Sequence, residues 1–179
     1  EQVLQQADIP LEAVDGFAAA IGPGSFTGVR VGLTAAKGLA EVHGKPLAGI
    51  SNLRAMAVSG KGPLRAVVLD ARRGEVYGAV YNAELELVCG EIVEKFPLWL
   101  QSLGDLRPEF ISYAGAPFRL AVVGTPFSSQ EWIDAPRGLA SAVAHCAAFD
   151  FSRGLGRDPV AVDANYVRRS DAELFWQET

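Results

Sequence analysis

The sequence predicts an α/β protein in two unequal parts, and three observations carry that prediction. Apolar runs of strand length alternate with helical periodicity over the first 60 residues, a hairpin pattern follows from residue 65, and a long helical pattern returns near residue 138. Composition agrees: 179 residues, 49% hydrophobic and 21% charged, suit a folded globular chain. No apolar run approaches the roughly 18 residues of a membrane helix, so no membrane partner is expected. Cys89 and Cys146 lie far apart, without a CxxC or a His/Cys cluster, which points to neither a disulfide framework nor zinc. A reducing cytoplasm fits these features. The net charge of −5 gives no overall attraction to a polyanion, so direct nucleic-acid binding is not expected. The pairs Arg72–Arg73 and Arg168–Arg169 read most simply as solvated charges, with a local basic patch as the alternative.

Glu1 to Ala7 reads as the tail of a helix, without an initiator Met, and the first part is therefore expected to be N-terminally truncated. Asp8-Ile9-Pro10 breaks the chain, and Gly16 to Gly22 has the length and apolarity of a buried strand. A Gly-Pro-Gly turn ends it. From Thr27 or Gly28 to His43 the spacing predicts a helix, with hydroxyl caps before it and Gly44 and Pro46 after it. Lys45 to Ile50 reads as a second strand, and Ser51 as the N-cap of a helix through Val58. Ser59-Gly60-Lys61-Gly62-Pro63 reads as a linker, placing a boundary that divides residues 1–60 from 61–179. Arg65 to Asp70 and Glu75 to Asn82 then form a hairpin, and Leu85 to Val93 continues the meander. Pro97 opens a short helix through Leu103, residues 104–118 look irregular, and Leu120 to Gly124 is a strand candidate. Leu139, Val143, Ala147 and Phe151 lie on one stripe of the helix from Gly138 to Ser152, which should pack on a sheet.

The segment Gly22-Pro23-Gly24-Ser25-Phe26-Thr27-Gly28 leads from a strand into a helix and so presents unpaired N–H groups and a positive dipole end. Gly22, Gly24, Ser25 and Thr27 are therefore candidates for an anion- or nucleotide-proximal loop. The segment matches neither the P-loop nor the GxGxxG pattern, and the simpler reading is a tight turn with close packing. Within the helix, Gly28, Gly32, Ala36 and Ala40 recur every four residues as a ridge of small side chains that admits another backbone. Phe26, Val29 and Leu33 lie on the neighbouring apolar stripe, available to the chain's own core or to a partner. Ser25 and Thr27 have no identifiable base and read as cap residues rather than nucleophiles, so no catalytic residue is expected. Asp70 alone, without a second positioned acid, is a weak candidate for a base or a magnesium ligand. His43 and His145 read as structural or surface residues.

Three stretches together resemble the TsaB (YeaZ) family. The first is Ile21-Gly22-Pro23-Gly24-Ser25-Phe26-Thr27-Gly28-Val29-Arg30-Val31-Gly32-Leu33, continued by Ala36-Lys37-Gly38-Leu39-Ala40 and Pro46-Leu47. The others are Leu69-Asp70-Ala71-Arg72-Arg73-Gly74-Glu75-Val76-Tyr77 and Asn165-Tyr166-Val167-Arg168-Arg169-Ser170-Asp171-Ala172-Glu173. Ala164 departs from the Pro that commonly precedes the last of these. The resemblance implies an actin-like, sugar-kinase-like (ASKHA) fold of two lobes, with the first lobe lacking its opening strands. It also implies a non-catalytic scaffold subunit of the complex that forms N6-threonylcarbamoyladenosine at position 37 of tRNAs, pairing with and activating the catalytic paralogue TsaD. That paralogue carries a metal-binding His-x-x-x-His; here Asn52 and Met56 occupy the two places, so neither a metal nor a cofactor is expected. The resemblance further implies a TsaE-type ATPase as third member, a homodimer through the same helical face, and tRNA contact only through the complex. The surface expected to meet the partner comprises Phe26, Gly28, Val29, Arg30, Gly32, Leu33, Ala36 and Lys37. An ATP-binding kinase or hydrolase of the same fold is the alternative, weakened by a 70–74 turn with one glycine. A protease lacks a nucleophile and a base.

Overall fold

Hydroxyl caps and glycines punctuate this chain, and the structure, a computed structural model, follows them closely. Residues 2–168 are described. Helix α1 (Gln2–Ala7) and a 3-10 turn (Leu11–Ala13) lead into strand β1 (Phe17–Ala20). Helix α2 (Phe26–Val42) follows, capped by Ser25, whose hydroxyl accepts from the Gly28 N–H at 3.3 Å. Strand β2 (Leu47–Ile50) pairs parallel with β1, and Ser51 caps helix α3 (Asn52–Ala57) by accepting from the N–H groups of Leu53 and Arg54. After the glycine linker come β3 (Leu64–Arg72), β4 (Glu75–Asn82) and β5 (Leu87–Lys95), an antiparallel meander, and then helix α4 (Phe96–Ser102). Strand β6 (Glu109–Ser112), helix α5 (Ala116–Ala121), strand β7 (Trp132–Asp134) and helix α6 (Ala140–Ser152) complete the order. The second sheet runs β5-β4-β3-β6-β7, its last two pairings parallel.

Two expectations fail between residues 104 and 124. The stretch expected to be irregular holds β6, all four residues of which are buried. Its polar ends hid it: Glu109 accepts from the N–H groups of Lys61 and Gly62 at 2.6 and 2.8 Å, which satisfies a carboxylate inside the fold. The apolar run Leu120 to Gly124, expected as a strand, is instead the end of α5 and the turn after it, with Leu120 and Val123 exposed. Pro117 sits in the first turn of that helix, where its missing N–H costs nothing.

Alternation along β3 explains how both faces of the second sheet are covered. Ala66 and Val68 point to a core shared with Phe96, Trp99, Leu100 and Phe110, while Val67 and Leu69 point to one shared with Leu53 and Met56 of α3. Phe110 stacks on Trp132 with ring centres 4.7 Å apart and meets Phe127 edge-on at 5.9 Å. The first sheet is likewise covered twice. Leu33 and Ala40 of α2 pack with Ala19 and Leu47, and Val143, Cys146 and Ala147 of α6 pack with Ala48 and Ile50. Helices α3 and α6 thus fill the space between the sheets, and α6, drawn from far beyond Gly60, rests on strands that precede it. Among the described residues no helix is long and apolar enough to cross a membrane.

Close approach decides one glycine. A Cβ on Gly78 of β4 would sit 2.5 Å from Cε2 of Trp99, whereas one on Gly90 of β5 would meet nothing within 4 Å. Gly78→Ala should therefore lower stability by about 1–3 kcal/mol through overpacking. Gly90→Ala should stay within about 0.5 kcal/mol of the parent, and urea denaturation midpoints of the two variants check the pair.

Candidate partner face and the adjoining cleft

The loop between β1 and α2 is held from beneath by one side chain. Gly22 adopts φ +100°, a conformation that disfavours any residue with a Cβ, and its peptide to Pro23 is cis. Its N–H donates to Oδ1 of Asn52 at 3.4 Å, its carbonyl accepts from the Asn52 N–H at 2.7 Å, and Nδ2 of Asn52 donates to the Pro23 carbonyl at 3.1 Å. Asn52, one of the two residues at the His-x-x-x-His places, is therefore a staple for the glycine loop. Met56, the other, is wholly buried in the core beneath the second sheet. Of the loop candidates, Gly22 commits its N–H to Asn52 and Ser25 its hydroxyl to the helix cap. Gly24 lies beside Asn52, and Thr27 is exposed. Asp70 accepts from the Arg72 N–H at 2.8 Å and so shapes the hairpin tip, where Arg72, Arg73 and Gly74 all have positive φ. His43 packs near Phe17, and His145 is exposed. Among the described residues no group of three or more His, Cys, Asp or Glu stands close enough to hold a metal.

A cleft of about 330 Å³ opens between this loop, the first turn of α2, Tyr77 of β4 and the segment Asn165 to Arg168. Its rim at α2 is a compact stack: the Arg30 guanidinium lies 3.7 Å over the Phe26 ring, and its Nε donates to the Tyr166 hydroxyl at 2.7 Å. Arg168, which lines the cleft, pairs with Glu75 of β4. Arg169 and the rest of the Asn165 to Glu173 signature lie outside the described residues.

Below the cleft, Glu91 of β5 gathers three donors. Its Oε1 accepts from the hydroxyls of Ser51 and Tyr81, the latter at 2.6 Å, and its Oε2 accepts from Nδ2 of Asn165. Burial pushes the Tyr81 phenol far above its ordinary range, and the Glu91 charge and hydrogen bond add to the rise. Next to this cluster, Arg54 makes a two-pronged pair with Asp150 of α6 at 2.7 and 2.9 Å, which raises the guanidinium further. Glu91 and Asn165 went unremarked as a pair in the sequence because 74 residues separate them.

The burial of α2 redraws the surface expected to meet a partner. Leu33, expected there, is 6% exposed and belongs to the core against β1; Val29 and Ala36 are half-buried beside it. Lys37 turns toward the chain's own Asp163, 3.7 Å away. Gly28 and Gly32 are exposed, with open space where a Gly32 side chain would stand. The side facing away from the sheet also carries Val31, Leu39 and Val42, which are 66%, 46% and 81% exposed, with Ala35 and Gly38 between them. The ridge turns because four residues overshoot one 3.6-residue turn by about 40°, so Gly28 faces out and Ala40 faces in.

Fold and site together define an actin-like, sugar-kinase-like α/β protein with a glycine-loop cleft and an uncovered apolar helix beside it. A sequence model described as "TsaD: tRNA N6-adenosine threonylcarbamoyltransferase" matches residues 1–132. The TsaB tRNA threonylcarbamoyladenosine biosynthesis protein of Bacillus subtilis is 28% identical over 188 residues, which cover 99% of this chain and 80% of that one. A Mycobacterium leprae protein is 33% identical over 171 residues, 95% of this chain; the match spans 42% of that relative's length. A crystal structure of a protein with similarity to peptidase YEAZ from Pseudomonas aeruginosa superposes with a TM-score of 0.74 at 25% identity, covering 93% of this chain and 80% of that one. The chain belongs to the family that the TsaD model describes, as a member of its TsaB (YeaZ) branch.

The Tyr81 contact yields a signed pH effect. In the unfolded chain a tyrosine ionises near pH 10, whereas folding holds the Tyr81 proton, so this contribution is complete below about pH 10 and is lost as pH rises above it. Tyr81→Phe should cost about 1–2 kcal/mol at neutral pH and flatten the decline above about pH 10, as urea denaturation across that range would report.

Proposed function

We propose that this chain serves the biosynthesis of N6-threonylcarbamoyladenosine in tRNA as a non-catalytic subunit, docking a TsaD-type catalytic paralogue on the outer side of α2. The observation that carries the reading is the uncovered strip Val31, Ala35, Leu39 and Val42, flanked by Gly28 and Gly32. Exposed apolar side chains in a row on one regular element, edged by Arg30 and Glu41, have the make-up of an interface core with a polar rim. The glycines let a second backbone come near. Phe26, Arg30 and Lys37 belong to the rim in this reading, with Val29, Leu33 and Ala36 supporting it from the inner side.

The scaffold role accords with Asn52 and Met56, which serve a loop and a core. It also accords with the net charge of −5, which leaves the grip on tRNA to the complex. A TsaE-type ATPase as third member and a homodimer through the same strip belong to this proposal. So does a division into two lobes at residue 60, with α6 returning to the first sheet. The Gly22 to Thr27 loop would then face any nucleotide held at the junction rather than bind one alone. An independent ATP-binding kinase or hydrolase draws less support, since Gly22 and Ser25 already spend their polar groups within the chain.

Leu33→Glu would bury a charge in the core and report on folding, so the test falls on Val31→Glu and Leu39→Glu. Each should weaken association with the TsaD of the same organism at least about tenfold, since both place a charge at the centre of an interface. Their thermal midpoints should stay near that of the parent. Gly32→Ala should stabilise the chain by up to about 1 kcal/mol, while Gly32→Trp should keep the fold and lose the pairing. Size-exclusion light scattering with calorimetric titration reads both quantities; parent-like affinity in both glutamate variants would refute this placement.

A further inference from the structure

We infer that residues 163–168 form a releasable strap, latched to the body of the protein by Asn165 on Glu91. The latch holds the Phe26–Arg30 corner of α2 in the geometry that a partner meets. The second half of this inference rests on the docking reading above; the first half does not.

The strap begins at a fixed point. Arg157 exchanges backbone hydrogen bonds with Leu47, and Val162 is buried with Leu33 and Ala40. Beyond Val162 the chain enters no helix or strand up to Arg168. Among the described residues a single backbone hydrogen bond holds this stretch, from the Asn165 N–H to the Ile21 carbonyl at 2.7 Å. Its other polar tethers are side chains: Asp163 to Lys37 and Tyr166 to Arg30, both on α2, Asn165 to Glu91 of β5, and Arg168 to Glu75 of β4. A segment held this way opens at a smaller cost than the sheets beneath it.

Glu91 divides its two oxygens between body and strap. Oε1 takes both hydroxyls, from Ser51 at the start of α3 and from Tyr81 of β4, and so belongs to the body. Oε2 takes Asn165 and so belongs to the strap. The latch is therefore one amide donor on one charged acceptor. What it holds in place is Tyr166, whose ring lies 5.8 Å from Phe26 and whose hydroxyl receives Arg30. With the strap open, Arg30 loses its acceptor and Phe26 loses a neighbouring ring, at the end of α2 where the outer strip begins.

The atom assignment supplies its own test. Asn165→Asp sets a carboxylate against Oε2 and should open the strap. Adding Glu91→Gln should close it again, because the introduced amide oxygen still accepts both hydroxyls while its nitrogen donates to the introduced carboxylate. In the free chain, hydrogen exchange of the two bonded amides here, that of residue 165 on the Ile21 carbonyl and that of Gly22 on Asn52, should rise at least about tenfold in Asn165→Asp, as expected for losing a hydrogen bond to a charged group. Exchange in β3 and β6 should not change, and the double variant should recover. Parent-like protection in Asn165→Asp, equal loss across both sheets, or no recovery in the double variant would each overturn the latch. Affinity for the catalytic paralogue should fall and recover in parallel; an unchanged affinity beside an opened strap would overturn the link to α2. A parent chain that binds no paralogue would defeat the docking reading alone, since exchange in the free chain decides the latch regardless.

Discussion

One carboxylate organises the middle of this protein. A half-buried Glu91 is stable only if its charge is met by donors, and the three it finds come from separate places: the cap of α3, the face of β4 and the segment that crosses the glycine loop. Ser51 is the hinge of the arrangement. Its hydroxyl accepts from two N–H groups at the start of α3 and gives its own proton to Glu91. Capping a helix and joining a strand of the second sheet are thus one act. Asn52, the next residue, fixes the Gly22–Pro23 turn, so the path from Glu91 to the start of α2 passes through two adjacent side chains.

Helix α2 is apolar on two sides for two reasons. Its inner side completes the first sheet through Leu33 and Ala40, as the core of any α/β layer requires. Its outer side serves nothing within the described chain. Glycine on that side lowers the helix's own stability, and a surface selected for stability alone would carry alanine there and charge in place of exposed valine and leucine. The cost becomes intelligible where a second surface has to come close.

The order of elements was legible from residue 16 to residue 103 because each boundary carries a local signal: Ser25 and Ser51 as caps, Gly44 after α2, Pro97 at the start of α4. Legibility failed where tertiary contacts overrode the local pattern. Glu109 opens a buried strand only because two linker N–H groups wait for it, and no neighbour in sequence announces them. Strand β7, three residues long, pairs with another equally hidden strand. At the site, the apolar stripe through Leu33 could serve the chain's own core or a partner, and a helix apolar on two sides does not say which of them meets its own sheet. The Glu91 cluster was beyond reach for a plainer reason: its donors lie 40, 10 and 74 residues away.

The tether between Arg30 and Tyr166 spans 136 residues. During synthesis the meander from β3 to β5 can close over short loops as it emerges, while Arg30 cannot meet the Tyr166 phenol until a further 136 residues have been made. The corner of α2 beside the glycine loop is thus the last part of the first sheet's surroundings to be completed. A nascent chain carries the apolar strip long before it carries the finished corner, and the timing of translation itself separates a helix that is merely exposed from a face that is ready to be bound.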